Sequence, residues 1–239
     1  MFLIVFNFSP KGDTMTNPGS RGEHTLQKKF NTEKRAQSFY DNQVLDHLNP
    51  RMIEFIANQE ILFVATADAK GDCDCSLRAG EAGFIHVLDV KNLVYPEYRG
   101  NGVTASLGNI LENPHIGMMF TDFIKDTVGL HVNGKAAIIE NEELLQRENI
   151  SQKIIDDMNK KGRKPERWVQ VEVEEAYMHC SKHIPFYQKA DKKMHWGTDD
   201  VKVKKTDYFL SMTQRYDEKA IYGQALTSRL TLTAINVDS

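Results

Sequence analysis

Residues 92–123, NLVYPEYRGNGVTASLGNILENPHIGMMFTDF, decide the fold class of this chain. A short apolar strand ends at Pro96 and is followed by a glycine-rich loop. Apolar residues then recur at helical spacing until Pro114 stops the helix, and residues 115–123 are again typical of a strand. One helix inserted among short strands differs from the regular strand–helix alternation of a Rossmann fold, and no G-x-G-x-x-G motif follows a strand.

Short strand patterns dominate the sequence on both sides of this stretch. The segment 167–180 alternates through Val169, Val171 and Val173, which is typical of a half-exposed strand. Asn133-Gly134 lies inside another strand pattern and predicts either a turn or a β-bulge. Together these patterns predict a mainly β fold of the α+β class, a barrel or sandwich with peripheral helices. The strand patterns cover residues 61–68, 73–80, 83–89, 92–96, 115–123, 129–140 and 167–180.

Two further segments have helical periodicity. The amphipathic pattern over residues 32–58 predicts two helices joined near Asn49-Pro50, because proline interrupts a helix interior. Residues 141–162 predict another helical segment that ends at a glycine. Asn141 and Ser151 are both candidate N-caps for this segment.

The composition is that of an ordinary globular protein. The 239 residues are 41% hydrophobic and 26% charged, with a net charge of -3 and a pI near 6.2. This balance disfavours general nucleic-acid binding, which needs a basic surface. Three cysteines argue against a disulfide framework, and no apolar run reaches the length of a membrane span. We therefore expect a cytoplasmic protein with neither a nucleic-acid nor a membrane partner.

Cys73 and Cys75 form a C-x-C pair, which raises the question of a metal site. A zinc site would need a second such pair nearby, and the sequence has none. At the period of a strand the two side chains point to one face, so we expect small packed thiols and no metal.

The loop Arg99-Gly100-Asn101-Gly102 precedes the predicted helix and has the composition of an anion site. Glycines allow close approach, and the helix start presents free N–H groups and a positive dipole end. The guanidinium of Arg99 and the hydroxyl of Ser106 would complete a phosphate site. The alternative is a plain turn with Asn101 as a left-handed or N-cap residue. Arg78, at the end of a strand, is either a ligand contact or half of a surface ion pair.

Several motifs in combination resemble the pyridoxamine 5'-phosphate oxidase-like flavoproteins, the FMN-binding split β-barrel superfamily. The similarity covers roughly residues 50–185. Within the superfamily, the chain resembles the predicted FMN-dependent branch rather than the vitamin B6 oxidase itself. The similarity lies in the combination of motifs rather than in any single one. The motifs are Ser76-Leu77-Arg78-Ala79, Gly83-Phe84-Ile85, Pro96 to Asn101, Asn109 to Pro114, Gly117 to Phe120, Leu130 to Ala136, and EAYMHCSKHI at residues 175–184.

The resemblance implies an FMN-binding split β-barrel that forms a homodimer, with the flavin in a groove between the subunits. It also implies an FMN-dependent oxidoreductase of an unidentified small-molecule substrate. FAD, a deazaflavin or haem are alternative cofactors. A flavin carrier or sensor without turnover is one alternative function. A haem-binding split barrel, with His131, His179 or His183 as axial ligand, is another.

The resemblance also assigns residues to the flavin, although it identifies no catalytic side chain. Ser76, Arg78 and Ala79 would lie along the flavin, and His131 and Val132 near the ring or its partner-subunit side. Many relatives have two basic residues where this chain has Gly102 and Val103, so Arg78 and Arg99 would carry the phosphate charge. The remaining assigned residues, near the phosphate and ribityl chain, are Tyr95, Gly100, Asn101 and Ser106.

The chain divides into three predicted parts. Residues 1–31 are expected to be a flexible leader, in which Met15 is an alternative natural start to Met1. Residues 32–185 form the split-barrel domain. Residues 186–239 form a C-terminal extension, with a helix over 207–223 and an edge strand over 229–237, packed on the barrel or on the partner subunit.

Overall fold

The computed structural model describes residues 18–147, 150–191, 194–198, 200 and 202–203. Within these residues six α-helices surround one β-sheet, and a short 3-10 turn covers Ser181–His183. The helices are α1 (Arg21–Phe30), α2 (Glu33–Gln43), α3 (Pro50–Ala57), α4 (Ala105–Glu112), α5 (Asn141–Leu145) and α6 (Gln152–Asn159).

The sheet has seven strands, all paired antiparallel, in the order β2-β1-β5-β6-β7-β4-β3. This architecture confirms the predicted fold class, an α+β split β-barrel with peripheral helices. The strands are β1 (Ile61–Ala67), β2 (Cys73–Ala79), β3 (His86–Val87), β4 (Asn92–Glu97), β5 (His115–Thr121), β6 (Gly129–Ile139) and β7 (Arg167–His179).

Alternation along the strands separates an apolar inner face from a partly exposed outer face. Leu62 and Val64 of β1 are fully buried, and so are Val169 and Val171 of β7. The intervening residues point outward because successive side chains alternate across a strand. One outward row crosses five strands as direct cross-strand neighbours, and we call it the outer row: Leu77, Phe63, Met119, His131 and Tyr177.

The barrel remains open between β2 and β4. No backbone ladder joins these two strands in the described part of the chain. We call this opening the split. Helix α4 packs against β1, β2 and β6, and the Arg78 guanidinium on β2 reaches the Glu97 carboxylate on β4 at 2.7 Å. An ion pair, rather than strand pairing, therefore connects the two edges.

A β-bulge bends the longest strand pair. The register of β6 against β7 shifts between Asn133 and Gly134, so the bulge alternative for this dipeptide is correct. A Cβ atom at Gly134 would overlap the carbonyl oxygen of Glu172 on β7. Glycine is therefore required for the close approach of the two backbones.

The predicted flexible leader is wrong for residues 21–30, which form α1. Ser20 and Glu23 make a capping box at its start, and Asn31 ends it in the left-handed conformation. The hydroxyl of Tyr40 on α2 also donates to Glu23 at 2.8 Å. These contacts order a polar segment that buries none of its residues. Met1 and Met15 lie outside the described residues.

The two predicted helices over residues 32–58 are separate rather than joined at Pro50. Between α2 and α3 the chain leaves the helical conformation, and Leu45 forms an isolated bridge with Ala176 of β7. Helix α3 then starts at Pro50, where the Asn49 side chain accepts from the Met52 N–H at 3.0 Å. The predicted helical segment 141–162 is likewise two helices, α5 and α6, and Ser151 is the N-cap of the second.

The barrel interior and the space beneath α5 and α6 form two apolar cores. In the second core, Trp168 packs against His86, and the His86 ring lies 3.2 Å from the Asp157 carboxylate. His86 is thus a buried histidine whose ring has a polar partner.

The C-terminal extension is described only in part. The predicted helix over 207–223 and strand over 229–237 lie outside the described residues. Those described between 186 and 203 contain no helix or strand. Among the helices that the structure describes, none combines the length and apolar character needed to cross a bilayer.

Candidate functional site

Four of the residues assigned to a flavin meet at the split. Ser76 and Arg78 lie two positions apart on the same face of β2, because side chains alternate along a strand. Ser106 is the second residue of α4, and Tyr95 lies on β4. Three elements distant in sequence are thus brought to one place beside the gap between the sheet edges.

Ser76 and Ser106 share one acidic partner that the sequence analysis did not single out. The Ser76 hydroxyl donates to Asp74 Oδ2 at 2.8 Å, and the Ser106 hydroxyl donates to the same oxygen at 2.9 Å. The two hydroxyl oxygens are 3.3 Å apart. Asp74, Ser76 and Arg78 alternate along β2, so the period of two could have placed Asp74 in the site.

Arg78 is not the exposed surface pair that was one alternative in the sequence. Its Nε donates to Glu97 Oε1 at 2.7 Å, and the two side chains are 18% and 13% exposed. Burial raises the pKa of the Glu97 carboxyl, and the Arg78 and Arg167 guanidinium groups partly offset that rise. The charge of Arg78 is therefore shared with an internal acid.

Tyr95 contributes a buried hydroxyl without a partner. Its side chain is fully buried, and its phenol oxygen makes no hydrogen bond in the described structure. Burial, together with the nearby Glu97 carboxylate, raises the pKa of this phenol. An unsatisfied buried hydroxyl is costly and marks a place where a polar ligand atom or a water molecule would be stabilised.

The loop from Arg99 to Thr104 borders the split and is exposed. The Asn101 side chain accepts from the Val103 N–H at 2.9 Å, so it stabilises the turn and is not the N-cap of the helix. The N-cap is Thr104, whose φ of 55° is left-handed and whose side chain caps no N–H group. Helix α4 begins at Ala105, two residues later than the sequence predicts. Its first N–H groups are left without a side-chain cap.

His131 and Val132 point to opposite faces of β6. Val132 is fully buried in the barrel core, whereas His131 belongs to the outer row. Arg78 and Leu77 are separated in the same way on β2, so His131 and Arg78 lie on opposite faces of the sheet. Ala79 is half-buried at the end of β2. A single subunit therefore does not gather all ten assigned residues.

His131 forms a small aromatic cluster on the outer face. Its ring stacks on Tyr177 with 4.7 Å between centroids, and its Nε2 lies 3.0 Å from His179 Nδ1. Burial lowers the pKa of His131, and the neighbouring His179 lowers it further. The His131 imidazole is thus kept neutral over more of the pH range than a free histidine.

The expected packing of Cys73 and Cys75 is wrong. Both thiols share one face of β2, as predicted, but both are exposed because they lie on the same outward face as Leu77. In the described part of the chain no three His, Cys, Asp or Glu side chains are arranged to hold a metal ion.

A concavity lies away from the split. A groove of about 910 Å³ runs between α3 and the turn that joins β5 to β6, and none of the assigned flavin residues line it. At the rim of this groove, Lys189 Nζ donates to Glu60 Oε1 at 2.6 Å. The buried Thr121 hydroxyl in its wall has no hydrogen-bond partner. We place the candidate site at the split, because several ionisable and hydroxyl groups converge there.

Comparisons with known proteins give one family and several structural neighbours. HupZ of Group A Streptococcus is 24% identical, with a TM-score of 0.40 over 54% of this chain and 92% of that chain. The haem storage protein HutZ of Vibrio cholerae is 16% identical, with a TM-score of 0.36 over 55% and 93%. An FMN-binding protein of Syntrophomonas wolfei is 12% identical, with a TM-score of 0.40 over 66% and 96%.

The sequence comparison is more decisive than these structural likenesses. No curated protein matches the chain. The family model for pyridoxamine 5'-phosphate oxidase matches residues 48–180, from the segment before α3 to the residue after β7. Since this match spans more than half of the 239 residues, the chain belongs to the pyridoxamine 5'-phosphate oxidase family.

Proposed function

We propose that this protein is a flavin-dependent oxidoreductase that binds FMN and acts on a small molecule, as a cytoplasmic homodimer. Family membership supports the proposal. The observation that carries it is the convergence of Ser76, Arg78 and Ser106 at the split, beside the uncapped start of α4.

The groups at the split fit a phosphorylated flavin in kind. Two hydroxyls, a guanidinium and uncapped helix N–H groups are the donors that a phosphate or a ribityl chain requires. The unpartnered Tyr95 hydroxyl adds a buried polar group that a ligand would satisfy. Asp74 and Glu97 hold the same donors in the described structure, so a bound phosphate would compete with two carboxylates.

The chain's own residues would bind and orient the cofactor. A bound flavin supplies two-electron transfer at its ring. Ser76 and Ser106 would donate hydrogen bonds to its phosphate, and Arg78 and Arg99 would balance the phosphate charge. His131, on the opposite face of the sheet, would serve the site across a subunit interface with a neutral imidazole able to donate or accept a hydrogen bond.

The outer row supports the homodimer part of the proposal. Its apolar members extend over neighbouring strands, and Leu77 is 55% exposed. Exposed apolar patches of this kind are typical of protein–protein contacts. A second copy packed on this face would bring its His131 toward the flavin groove between the subunits.

Haem is the second candidate ligand. His131 and His179 lie side by side on the outer face, and both rings are partly exposed. A histidine in such a position is able to serve as an axial ligand to haem iron. A flavin carrier or sensor without turnover is a further alternative to an enzyme.

The absorbance spectrum of the purified full-length protein, before and after addition of FMN or haem, tests the proposal. Two broad near-ultraviolet and blue bands, released as FMN by heating, would support flavin binding. A sharp Soret band would favour haem. Protein that takes up neither ligand would contradict both. Anaerobic reduction of the bound flavin by a nicotinamide would favour an enzyme over a carrier.

A further inference from the structure

We infer that Asp74 is a specificity-determining residue that weakens phosphate binding at the split. Its carboxylate acts as an internal anion and occupies the hydroxyl donors that a ligand phosphate would use. The inference rests on the proposed flavin site and concerns which flavin that site prefers.

The hydrogen bonds at Asp74 converge on one oxygen atom. Both the Ser76 and the Ser106 hydroxyl donate to Asp74 Oδ2, at 2.8 and 2.9 Å. Ser106 is only 3% exposed, so solvent offers its hydroxyl little alternative. One carboxylate oxygen therefore holds the two donors in the arrangement that would otherwise receive one phosphate oxygen.

Asp74 is hydrogen-bonded to the start of α4 through Ser106. Ser106 lies in the first turn of α4, where the helix dipole and free N–H groups stabilise anions. The N-cap residue Thr104 does not satisfy these groups with its side chain. Asp74 supplies the anion from within the chain, so a ligand phosphate would enter a place already occupied by one.

The positive charge of Arg78 on β2 does not offset this competition. Arg78 is paired with the largely buried Glu97 at 2.7 Å, so its charge is already balanced. A phosphate placed beside ionised Asp74 would meet like-charge repulsion, moderated by the half-exposed setting of Asp74. The ribityl chain and ring of a flavin carry no such charge. We therefore expect Asp74 to reduce the preference for FMN over riboflavin.

Titration of the full-length protein with FMN and with riboflavin tests this inference, because the two ligands differ only in the phosphate. In Asp74→Asn the side chain keeps its size and an acceptor oxygen but loses its charge. We expect this variant to bind FMN roughly tenfold more tightly, or better, than the wild type. Riboflavin affinity should stay unchanged. Fluorescence quenching or calorimetry would measure both affinities.

Asp72→Asn is the matched control. Asp72 is exposed, lies just before β2, and its loss removes the same single charge. It should leave the FMN to riboflavin ratio unchanged. Thermal melting would verify that each variant is folded. Asp74→Ser, which keeps a small hydroxyl, would replace Asp74→Asn if the latter fails to fold.

The outcomes separate the two proposals. If the wild type binds flavin and Asp74→Asn has the same or a smaller FMN to riboflavin preference, the role of Asp74 is overturned while the flavin site stands. If neither the wild type nor any variant binds either flavin, the proposed function fails and the role of Asp74 fails with it.

Discussion

At the scale of single residues, Arg78 shows how burial changes the energetics of an ion pair. Exposed pairs contribute little to stability, whereas removing one partner of a buried pair leaves a charge without compensation. Arg78 and Glu97 are both less than one-fifth exposed and meet at 2.7 Å. Their interaction should therefore help to hold β2 and β4 together across the split, besides any contact that Arg78 makes with a ligand.

Replacing Arg78 should destabilise the fold measurably. In Arg78→Ala the Glu97 carboxylate is left largely buried without its guanidinium, and we expect a loss of about 2 kcal/mol or more. Urea denaturation would measure the change. The double variant Arg78→Ala/Glu97→Gln should recover part of the loss because no uncompensated charge remains. If the losses of Arg78→Ala and Glu97→Gln add up to the loss of the double variant, the pair contributes no coupling energy.

The depressed pKa of His131 predicts a pH dependence of stability. The ordinary histidine value is 6.5, and burial and His179 lower the pKa of His131 in the folded state. As the pH falls through 6.5, the unfolded chain takes up this proton more readily than the folded protein. The contribution of His131 to stability is therefore present above that pH. It is lost as the pH falls toward the folded pKa.

Thermal melting between about pH 7.5 and about pH 5 checks this prediction. His131→Gln should lose less stability than the wild type on acidification, because the titrating group is gone. His115→Gln, a change at an exposed histidine of β5, is the control. Its loss of stability on acidification should equal that of the wild type. Equal pH dependence in the wild type and His131→Gln would contradict the assignment.

At the scale of elements, the bulge between β6 and β7, with its extra residue Glu174 on β7, is the feature that most constrains the sequence. Gly134 allows the backbones of β6 and β7 to approach where a Cβ atom would overlap the Glu172 carbonyl oxygen. These are the longest strands of the sheet, with 11 and 13 residues. A bulge bends and twists its strand, so this position helps to curve the barrel.

Gly134→Ala should destabilise the protein by about 2 kcal/mol or more, because the new methyl group meets backbone that cannot move aside easily. Chemical denaturation would measure the loss. Gly117→Ala on neighbouring β5 is the matched control, since its Cβ would make ordinary contacts, at 3.4 Å from Asn133 Oδ1 and 3.8 Å from the Ala65 Cβ. Similar losses of stability in the two variants would show that the close backbone approach at the bulge is not the cause of the loss.

The elements also show where sequence patterns are sufficient. Alternation predicted the strands of the barrel, and Pro114 marked the end of α4 within two residues. The helix α1 was missed, because its residues are mostly polar and bury none of their side chains. The capping box of Ser20 and Glu23 was its available signal. The strand predicted over residues 83–89 shrinks to His86–Val87 because only these two residues pair with β4.

At the scale of the whole molecule, the outer row is the face on which we propose that two subunits meet. It crosses β2, β1, β5, β6 and β7, and its Phe63, Met119, His131 and Tyr177 are partly exposed. The Phe39 ring of α2 contacts Tyr177 at a centroid distance of 5.6 Å and bounds the row at β7. The opposite end, at Leu77, has no such cover among the described residues.

Leu77→Lys should convert the proposed dimer to a monomer, because a charge would be buried in an apolar contact. Analytical ultracentrifugation over a range of protein concentrations would measure the mass. Leu111→Lys is the control, since Leu111 on α4 is 78% exposed and lies outside the outer row. A wild-type monomer at all concentrations, or a dimer that tolerates Leu77→Lys, would contradict the proposed interface.

The local features of this protein can be read from neighbouring residues in the chain. Strand alternation, helical periodicity and proline or glycine stops depend on neighbouring residues. These features predicted the α+β class, and the motif combination predicted the family. They also placed Cys73 and Cys75 on one face of β2, because a strand has a period of two.

Which groups meet at the split depends on the three-dimensional fold. Arg78 and Glu97 are 19 residues apart, and Asp74 and Ser106 are 32 residues apart. Such partners depend on strand register and on how the sheet closes, which no local period specifies. The fold therefore decided that Asp74 and Glu97 hold the donors assigned to a phosphate. It also decided that His131 and Arg78 lie on opposite faces of the sheet.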